Sequence, residues 1–222
     1  MVPKRLTITL DGPAGAGKST VAQGLSKKLG ISYLDTGAMY RALTLKGLRA
    51  GIDLADENAL ADLAAKTRID FKEMPDGALN VTLDGVDVSK DIRSIKVTNN
   101  TFYAAAAPKV RKILVARQRE IGARRSLVGD GRDLGTVVFP KADYKFYIDA
   151  DMEERVQRRL KELKAAGKPV DAAKLRADMK ERDHKDLSRA VGPLKKAKDA
   201  IVIDSTGLTV DGTVSRIMRH IS

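Results

Sequence analysis

The run Leu6-Thr-Ile-Thr-Leu10 reads as a buried strand, and it stops at Asp11-Gly12, where Gly12-Pro-Ala-Gly-Ala-Gly-Lys-Ser19 begins. From Lys18 onward the apolar residues fall at Val21, Ala22, Leu25 and Leu29, a helical spacing closed by Gly30. No other feature restricts the fold as strongly. A turn of the pattern G-x-x-x-x-G-K-[ST], set between a strand and a helix, curls its backbone so that successive amides face a polyphosphate. Gly12, Gly15 and Gly17 permit the curl, and Pro13, Ala14, Ala16 and Thr20 complete the cradle. Lys18 reaches the outer phosphate oxygens, Ser19 can ligate Mg²⁺, and the helix N-terminus adds positive potential.

Further short apolar runs at Ile31–Leu34, Ser126–Gly129, Tyr144–Ile148 and Ala200–Ile203 alternate with helical stretches. The latter cover Ala38–Ala50, Leu60–Lys66 behind a cap at Asp56, two stretches separated by Pro108, Glu153–Ala165, Asp171–Leu187 and Val210–Ile221. Alternation of this kind predicts an α/β fold with a five-stranded parallel sheet and ligands at the carboxyl ends of its strands. Between Thr67 and Val88 the period changes to two. The runs Arg68–Lys72, Leu79–Leu83 and Val86–Val88 are separated by Asp76-Gly77 and Asp84-Gly85, which predicts a three-stranded antiparallel insert.

The 222 residues suit one compact unit, and no apolar stretch approaches the roughly 20 residues that span a bilayer. The chain begins almost at once with strand-like sequence, so no secretory leader is expected, and without cysteine there is no disulfide, thiolate metal site or thiol nucleophile. A cytoplasmic protein is expected. A net charge of +12 favours anionic partners, yet aromatic residues make up only 4%, too few for base-stacking on nucleic acid. A switch GTPase would carry Asn-Lys-x-Asp, and this chain has none. His184 and His220 lack metal-ligand spacing to any partner.

Three further blocks carry candidate chemistry. Tyr33-Leu-Asp-Thr-Gly-Ala-Met-Tyr-Arg41 places Arg41 on the second helix, where the alternative is a plain surface arginine. Val128-Gly-Asp-Gly-Arg-Asp-Leu-Gly-Thr136 puts Arg132 and Asp133 past a strand end among glycines, and Asp130, closing that strand, is a candidate to orient Mg²⁺ waters; the rival reading is a loop salt bridge. Arg182, Asp186 and Arg189 are spaced to share one helix face, which also suits a solvated ion-pair ladder. Guanidinium forks suit bidentate phosphate binding.

Together, Asp11-Gly-Pro-Ala-Gly-Ala-Gly-Lys-Ser-Thr20, Leu34-Asp-Thr-Gly-Ala-Met-Tyr-Arg41, Asp130-Gly-Arg-Asp-Leu-Gly-Thr-Val-Val-Phe-Pro140 and Glu181-Arg-Asp-His-Lys-Asp-Leu-Ser-Arg-Ala-Val-Gly-Pro-Leu194 resemble the bacterial-type cytidylate kinases, within the nucleoside monophosphate kinases. The resemblance implies a P-loop NTPase fold in one domain. Its core would cover about 1–36, 104–152 and 190–222, a monophosphate-binding arm with the antiparallel insert about 37–103, and a helical lid about 153–189. It implies transfer of the γ-phosphoryl group of ATP to CMP or dCMP in pyrimidine metabolism, with Mg²⁺; a monomer is the default expectation. By position, Arg41, Arg132 and Arg189 would grip the acceptor phosphate, and Arg111 and Asp133 would read the cytosine edge. Thr36, Arg182 and Asp186 would lie around the sugar, with Tyr40 also at the acceptor. Lys18, Arg132, Arg189 and one of the lid residues Arg158 and Arg159 would act on the transferring group. The family commonly has a small hydroxyl residue nine positions before that base-reading arginine; here the position is Phe102, and Thr101 beside it is the candidate replacement.

Overall fold

Parallel strands covered on both faces need near-continuous apolar runs, and the sequence supplies five of them. In the computed structural model, which describes residues 5–73, 79–165, 167 and 169–221, these become β1 (Thr7–Asp11), β2 (Ser32–Asp35), β6 (Leu127–Gly131), β7 (Tyr144–Asp149) and β8 (Ile201–Asp204). They form one parallel sheet in the order β2-β6-β1-β7-β8. Ile8 lies opposite Tyr144 and Leu10 opposite Phe146, and Phe146 in turn lies opposite Ile201. The helices are α1 (Lys18–Leu29), α2 (Thr36–Arg49), α3 (Glu57–Ala65), α4 (Ile95–Ala106), α5 (Pro108–Arg124), α6 (Met152–Ala165), α7 (Ala172–Ser188) and α8 (Val210–Met218).

The insert is a separate sheet of β3 (Ile69–Glu73), β4 (Leu79–Leu83) and β5 (Val86–Asp87), in that order, with Phe71 opposite Val81. Its second turn has Asp84 at φ 52° and Gly85 at φ 87°, the two left-handed residues of a tight hairpin turn, and the Asp84 carboxylate meets Lys46 Nζ at 2.7 Å. The first expected turn, Asp76-Gly77, lies outside the described residues, as do Ala166 and Lys168 of the connection between α6 and α7.

The chain divides into two compact units. One comprises residues 1–31 and 128–222, and its core joins Ile8, Leu10, Val21, Leu25, Phe146, Ile148, Ile203, Val214 and Ile217. In it α6 and α7 share an apolar seam of Val156, Leu160 and Met179. The other comprises residues 32–127, with Leu34, Met39, Leu43, Leu60, Ile92 and Leu114 buried.

Local signals set most helix ends. Asp56 accepts from the amides of Asn58 (2.9 Å) and Ala59 (3.1 Å) ahead of α3, and Asp171 does the same for Ala173 and Lys174 ahead of α7. Pro108 occupies the first turn of α5, where its missing N–H is not needed. Several features differ from the sequence pattern: Leu134–Val138 forms a single π-helical turn after β6, Asp91–Arg93 forms a 3₁₀ turn, α3 begins at Glu57 rather than Leu60, and α8 ends at Met218, short of Ile221. Among the described residues no helix is long and apolar enough to cross a membrane.

Candidate active site

The glycine-rich loop takes its shape from close contacts. Gly12 has φ 149°, and a Cβ there would come within 2.0 Å of the Ile148 carbonyl oxygen, so only glycine lets the loop leave β1 beside β7. Gly15 and Gly17 are also left-handed, at φ 79° and 82°. Gly17 precedes α1 without a side-chain cap, and no acidic residue lies in the helix's first turn. The first amides of α1 therefore receive nothing from a capping side chain, which is how a helix start serves as an anion site.

Lys18 is buried, and its Nζ donates to the Pro13 carbonyl at 2.6 Å. Burial, reinforced by the Arg132 charge, lowers its pKa well below the usual lysine range, while Asp130 and Asp186 act in the opposite sense. An ammonium held under such stress gains from any anion brought to the loop. Ser19 Oγ donates to Asp130 Oδ2 at 2.7 Å, which joins the first turn of α1 to β6.

Beyond β6, Arg132 Nε pairs with Asp186 Oδ2 at 2.7 Å, and Arg132 Nη1 donates to the Gly131 carbonyl at 3.1 Å. Burial opposes the Arg132 charge, but the carboxylates of Asp186, Asp130 and Asp183 together outweigh it and the guanidinium pKa rises. Asp186 mirrors this: burial pushes its pKa up, while Arg132, Arg182 and Arg189 together bring it below the usual value. Lys18, Asp130, Arg132, Arg182, Asp186 and Arg189, singled out separately in the sequence, thus share one electrostatic neighbourhood. The π turn beyond Asp133 rests on a residue that the sequence motifs did not single out. Asp11, buried at the end of β1, accepts from the amides of Leu134 (2.9 Å) and Gly135 (2.8 Å), and burial, opposed by those bonds, raises its pKa from 3.8 to about 6. Asp133, also buried, precedes that turn, and its carbonyl accepts from Val137 and Val138.

On α6, Arg158 donates to Glu154 and to both the hydroxyl and the carbonyl of Ser205, whereas Arg159 pairs with Glu162 at 2.7 Å on an exposed face. Arg155, also on α6, hydrogen-bonds the loop directly, through the Ala14 carbonyl.

In the second unit, Thr36 opens α2 and is buried, next to Asp35, which caps the helix through the Ala38 amide at 2.8 Å. Arg41 Nη1 donates to the Ile92 carbonyl (3.1 Å) and to Thr98 Oγ1 (2.9 Å). Arg111, nearly fully buried on α5, donates to the Tyr40 hydroxyl at 3.3 Å with its guanidinium 5.8 Å from the Tyr40 ring centre. On α4, Thr101 Oγ1 donates to Val97 O at 2.7 Å, so its lone pairs are what it can offer a ligand. Phe102 is 37% exposed and stands edge-on to Tyr103.

Four positioning residues escaped the sequence reading: Asp11, Arg155 as a holder of the loop, Asp183 and Ser205. Asp11 carried the same signal as Asp130, an aspartate closing an apolar run, but stood in the shadow of the glycines that follow.

Residues 8–222 match the family described as cytidylate kinase. The chain is 50% identical over 211 residues to the cytidylate kinase of Desulforamulus reducens, covering 95% of this chain and 94% of that protein. It is 46% identical over 217 residues to that of Symbiobacterium thermophilum, covering 98% and 96%. A crystal structure of an uncharacterized protein from Eubacterium ventriosum shares the fold at a TM-score of 0.55 and 15% identity, with 98% of each chain covered. The chain belongs to the cytidylate kinase family.

Proposed function

We propose that the chain transfers the γ-phosphoryl group of ATP to CMP or dCMP, giving ADP and CDP or dCDP. The observation that carries this reading is the loop from Gly12 to Ser19, with its uncapped helix start and the surrounding charges of Lys18, Asp130, Arg132 and Asp186, in a member of the cytidylate kinase family.

The acceptor phosphate is a dianion at neutral pH, so no base has to remove a proton. One of its oxygens forms the new bond to the γ-phosphorus while the β,γ-bridging P–O bond breaks and its electron pair leaves with ADP. The protein's task is to hold the partners in line and to offset charge on the moving oxygens. In this reading the loop from Gly12 to Thr20 holds the donor phosphates through its backbone amides, apart from Pro13, which has none, and Ala14, whose amide is bonded to Asp183, and Lys18 meets the outer oxygens. Arg41, Arg132 and Arg189 hold the acceptor phosphate; Arg111 and Asp133, with Tyr40, Thr101 and Phe102, face the base; Thr36, Arg182 and Asp186 surround the sugar. Among the described residues no three acidic or imidazole groups cluster, but the Ser19 hydroxyl and Asp130 carboxylate are hard oxygen donors that suit Mg²⁺ completed by phosphates and water. Bound there, the ion would supply charge neutralisation to the donor's outer phosphates. Residues 37–103 act as the monophosphate arm and 153–189 as the lid, whose closure keeps water from taking the phosphoryl group.

A panel of nucleoside monophosphates in an ADP-release assay tests the reading. Fastest turnover is expected with CMP and dCMP; fastest turnover with AMP, dTMP or shikimate overturns it.

A further inference from the structure

A phosphate cradle needs its amides turned toward the anion, and a chain that turns amides inward must turn carbonyls outward and satisfy them. A loop with three glycines is backbone-permissive, so its arrangement has to be held by contacts to its carbonyls. Here the outward carbonyls meet side chains. Pro13 O accepts from Lys18, and Ala14 O accepts from Arg155 Nη1 at 3.0 Å. Ala16 O lies 3.3 Å from Ser205 Oγ, whose single hydrogen it shares with Asp149 O at 2.9 Å. Arg158, one turn along α6 from Arg155, donates to that same hydroxyl at 3.0 Å.

Ala14 is held at both of its polar backbone groups. Its amide donates to Asp183 Oδ1 at 3.3 Å, its carbonyl accepts from Arg155, and Arg155 Nη1 pairs with Asp183 Oδ2 at 2.6 Å. One ion pair, drawn from α6 and α7, thus brackets one residue of the loop. Both side chains are largely buried, at 9% and 15% exposure, so each charge depends on the other. Arg155 Nε is committed as well, to the Ala150 carbonyl at 3.1 Å. Next along the loop, a Cβ on Gly15 would stand 3.0 Å from Met179 Cε and 3.2 Å from both Cβ and O of Arg155, so the two helices pack closely against the loop there and leave little room for a side chain.

We infer that Arg155 and Asp183 form one positioning unit that fixes the Ala14 peptide, so that the α6–α7 hairpin sets how tightly the loop takes a nucleoside triphosphate. The inference rests on reading the loop as the donor's phosphate site. Arg155 holds the loop and leaves contact with the transferring group to other cations, and Arg158 supports the same loop through Ser205.

The test uses the full-length protein and measures binding of Mg²⁺-ATP by calorimetry with no acceptor present, alongside KM and kcat for each substrate. Asp183→Asn, which keeps an oxygen for the Ala14 amide but loses the ion pair, is expected to weaken ATP binding about tenfold while the acceptor KM stays within about twofold and kcat at saturating ATP within about threefold. Arg155→Met should do the same, Arg155→Lys should recover part of the loss, and Arg155→Met combined with Asp183→Asn should be no worse than the worse single variant. If Arg155→Met does not fold, Ser205→Ala carries the same readout with a smaller loss of about threefold in ATP binding. Unchanged ATP affinity in Asp183→Asn, equal losses for ATP and acceptor, or additive effects in the double variant would overturn the inference. Because ATP binding is read without acceptor, a wild-type preference for a different monophosphate would sink the CMP reading alone, and failure of the wild type to bind ATP would sink the donor reading.

Discussion

Ser19 and Asp130 stand 111 residues apart in the chain and share a hydrogen bond of 2.7 Å, hydroxyl to carboxylate, at the point where α1 begins and β6 nears its end. As the proposed Mg²⁺ site, the pair would supply one neutral and one anionic oxygen, and the two residues should differ in effect accordingly. Asp130→Asn is expected to lower kcat about a hundredfold and to raise the Mg²⁺ concentration giving half-maximal rate, with Ser19→Ala milder in both. Magnesium titrations of the phosphoryl-transfer rate check this; an unchanged titration midpoint in Asp130→Asn would remove Asp130 from the metal site.

Lys18 places function against stability. Its ammonium is buried and disfavoured both by desolvation and by Arg132. Lys18→Met should therefore cost at least about a thousandfold in kcat. The same variant should stabilise the nucleotide-free protein by about 1–2 kcal/mol in urea unfolding, since it removes a buried charge. A destabilised variant would mean that the bond to Pro13 outweighs the desolvation.

Asp11 introduces a pH dependence whose sign follows from its raised pKa. The folded state holds the proton up to about pH 6 and the unfolded chain only to about 3.8, so this stabilisation is present at low pH and is lost as pH rises between those values. Asp11→Asn lacks that term. The stability of the wild type minus that of the variant should fall by roughly 2–3 kcal/mol between pH 4 and pH 7 in denaturant titrations. A difference that is flat, or that rises with pH, would show that the two backbone hydrogen bonds overcome the burial.

Phe102 is exposed enough to be replaced at little cost, and the resemblance to the cytidylate kinases implies a small hydroxyl residue at its position. Phe102→Ser should change stability by less than about 1 kcal/mol. If Phe102 faces the base as proposed, the change should also raise kcat/KM for CMP over UMP several-fold, by adding a hydrogen-bonding group there. An unchanged ratio would relieve Phe102 of any part in base choice.

Much of the architecture was legible where local chemistry decides it. The helix from Lys18 to Leu29 and the strand from Leu79 to Leu83 keep the bounds that spacing and turn residues suggest, and Asp56 caps α3 as expected, although the helix starts at Glu57 rather than Leu60. The break at Pro108 likewise separates α4 from α5. What was illegible depends on distance. The π turn at Leu134–Val138 has no local signature, because the carboxylate receiving its amides is Asp11, 123 residues earlier. The bracket on Ala14 joins three segments whose residue types are ordinary in isolation, since an arginine and an aspartate on charged helices read as solvent-facing ion pairs. The order of the five strands was likewise outside the reach of periodicity, which tells a strand that it is buried and not which neighbour buries it.

The position of β1 in the middle of the large sheet also bears on how the molecule is made. Its partner β7 lies far along the chain: Thr7 and the Asp143 carboxylate that receives its amide are 136 residues apart. A ribosome releasing the chain would expose Ile8 and Leu10 long before β7 emerges to pair with them, while residues 32–127 already hold every strand of the smaller sheet. Closing so long a span is entropically slow. The nascent chain should pass through a stage in which the middle of the sequence is organised while its first strand still waits, the interval in which a chaperone or an aggregate would find it.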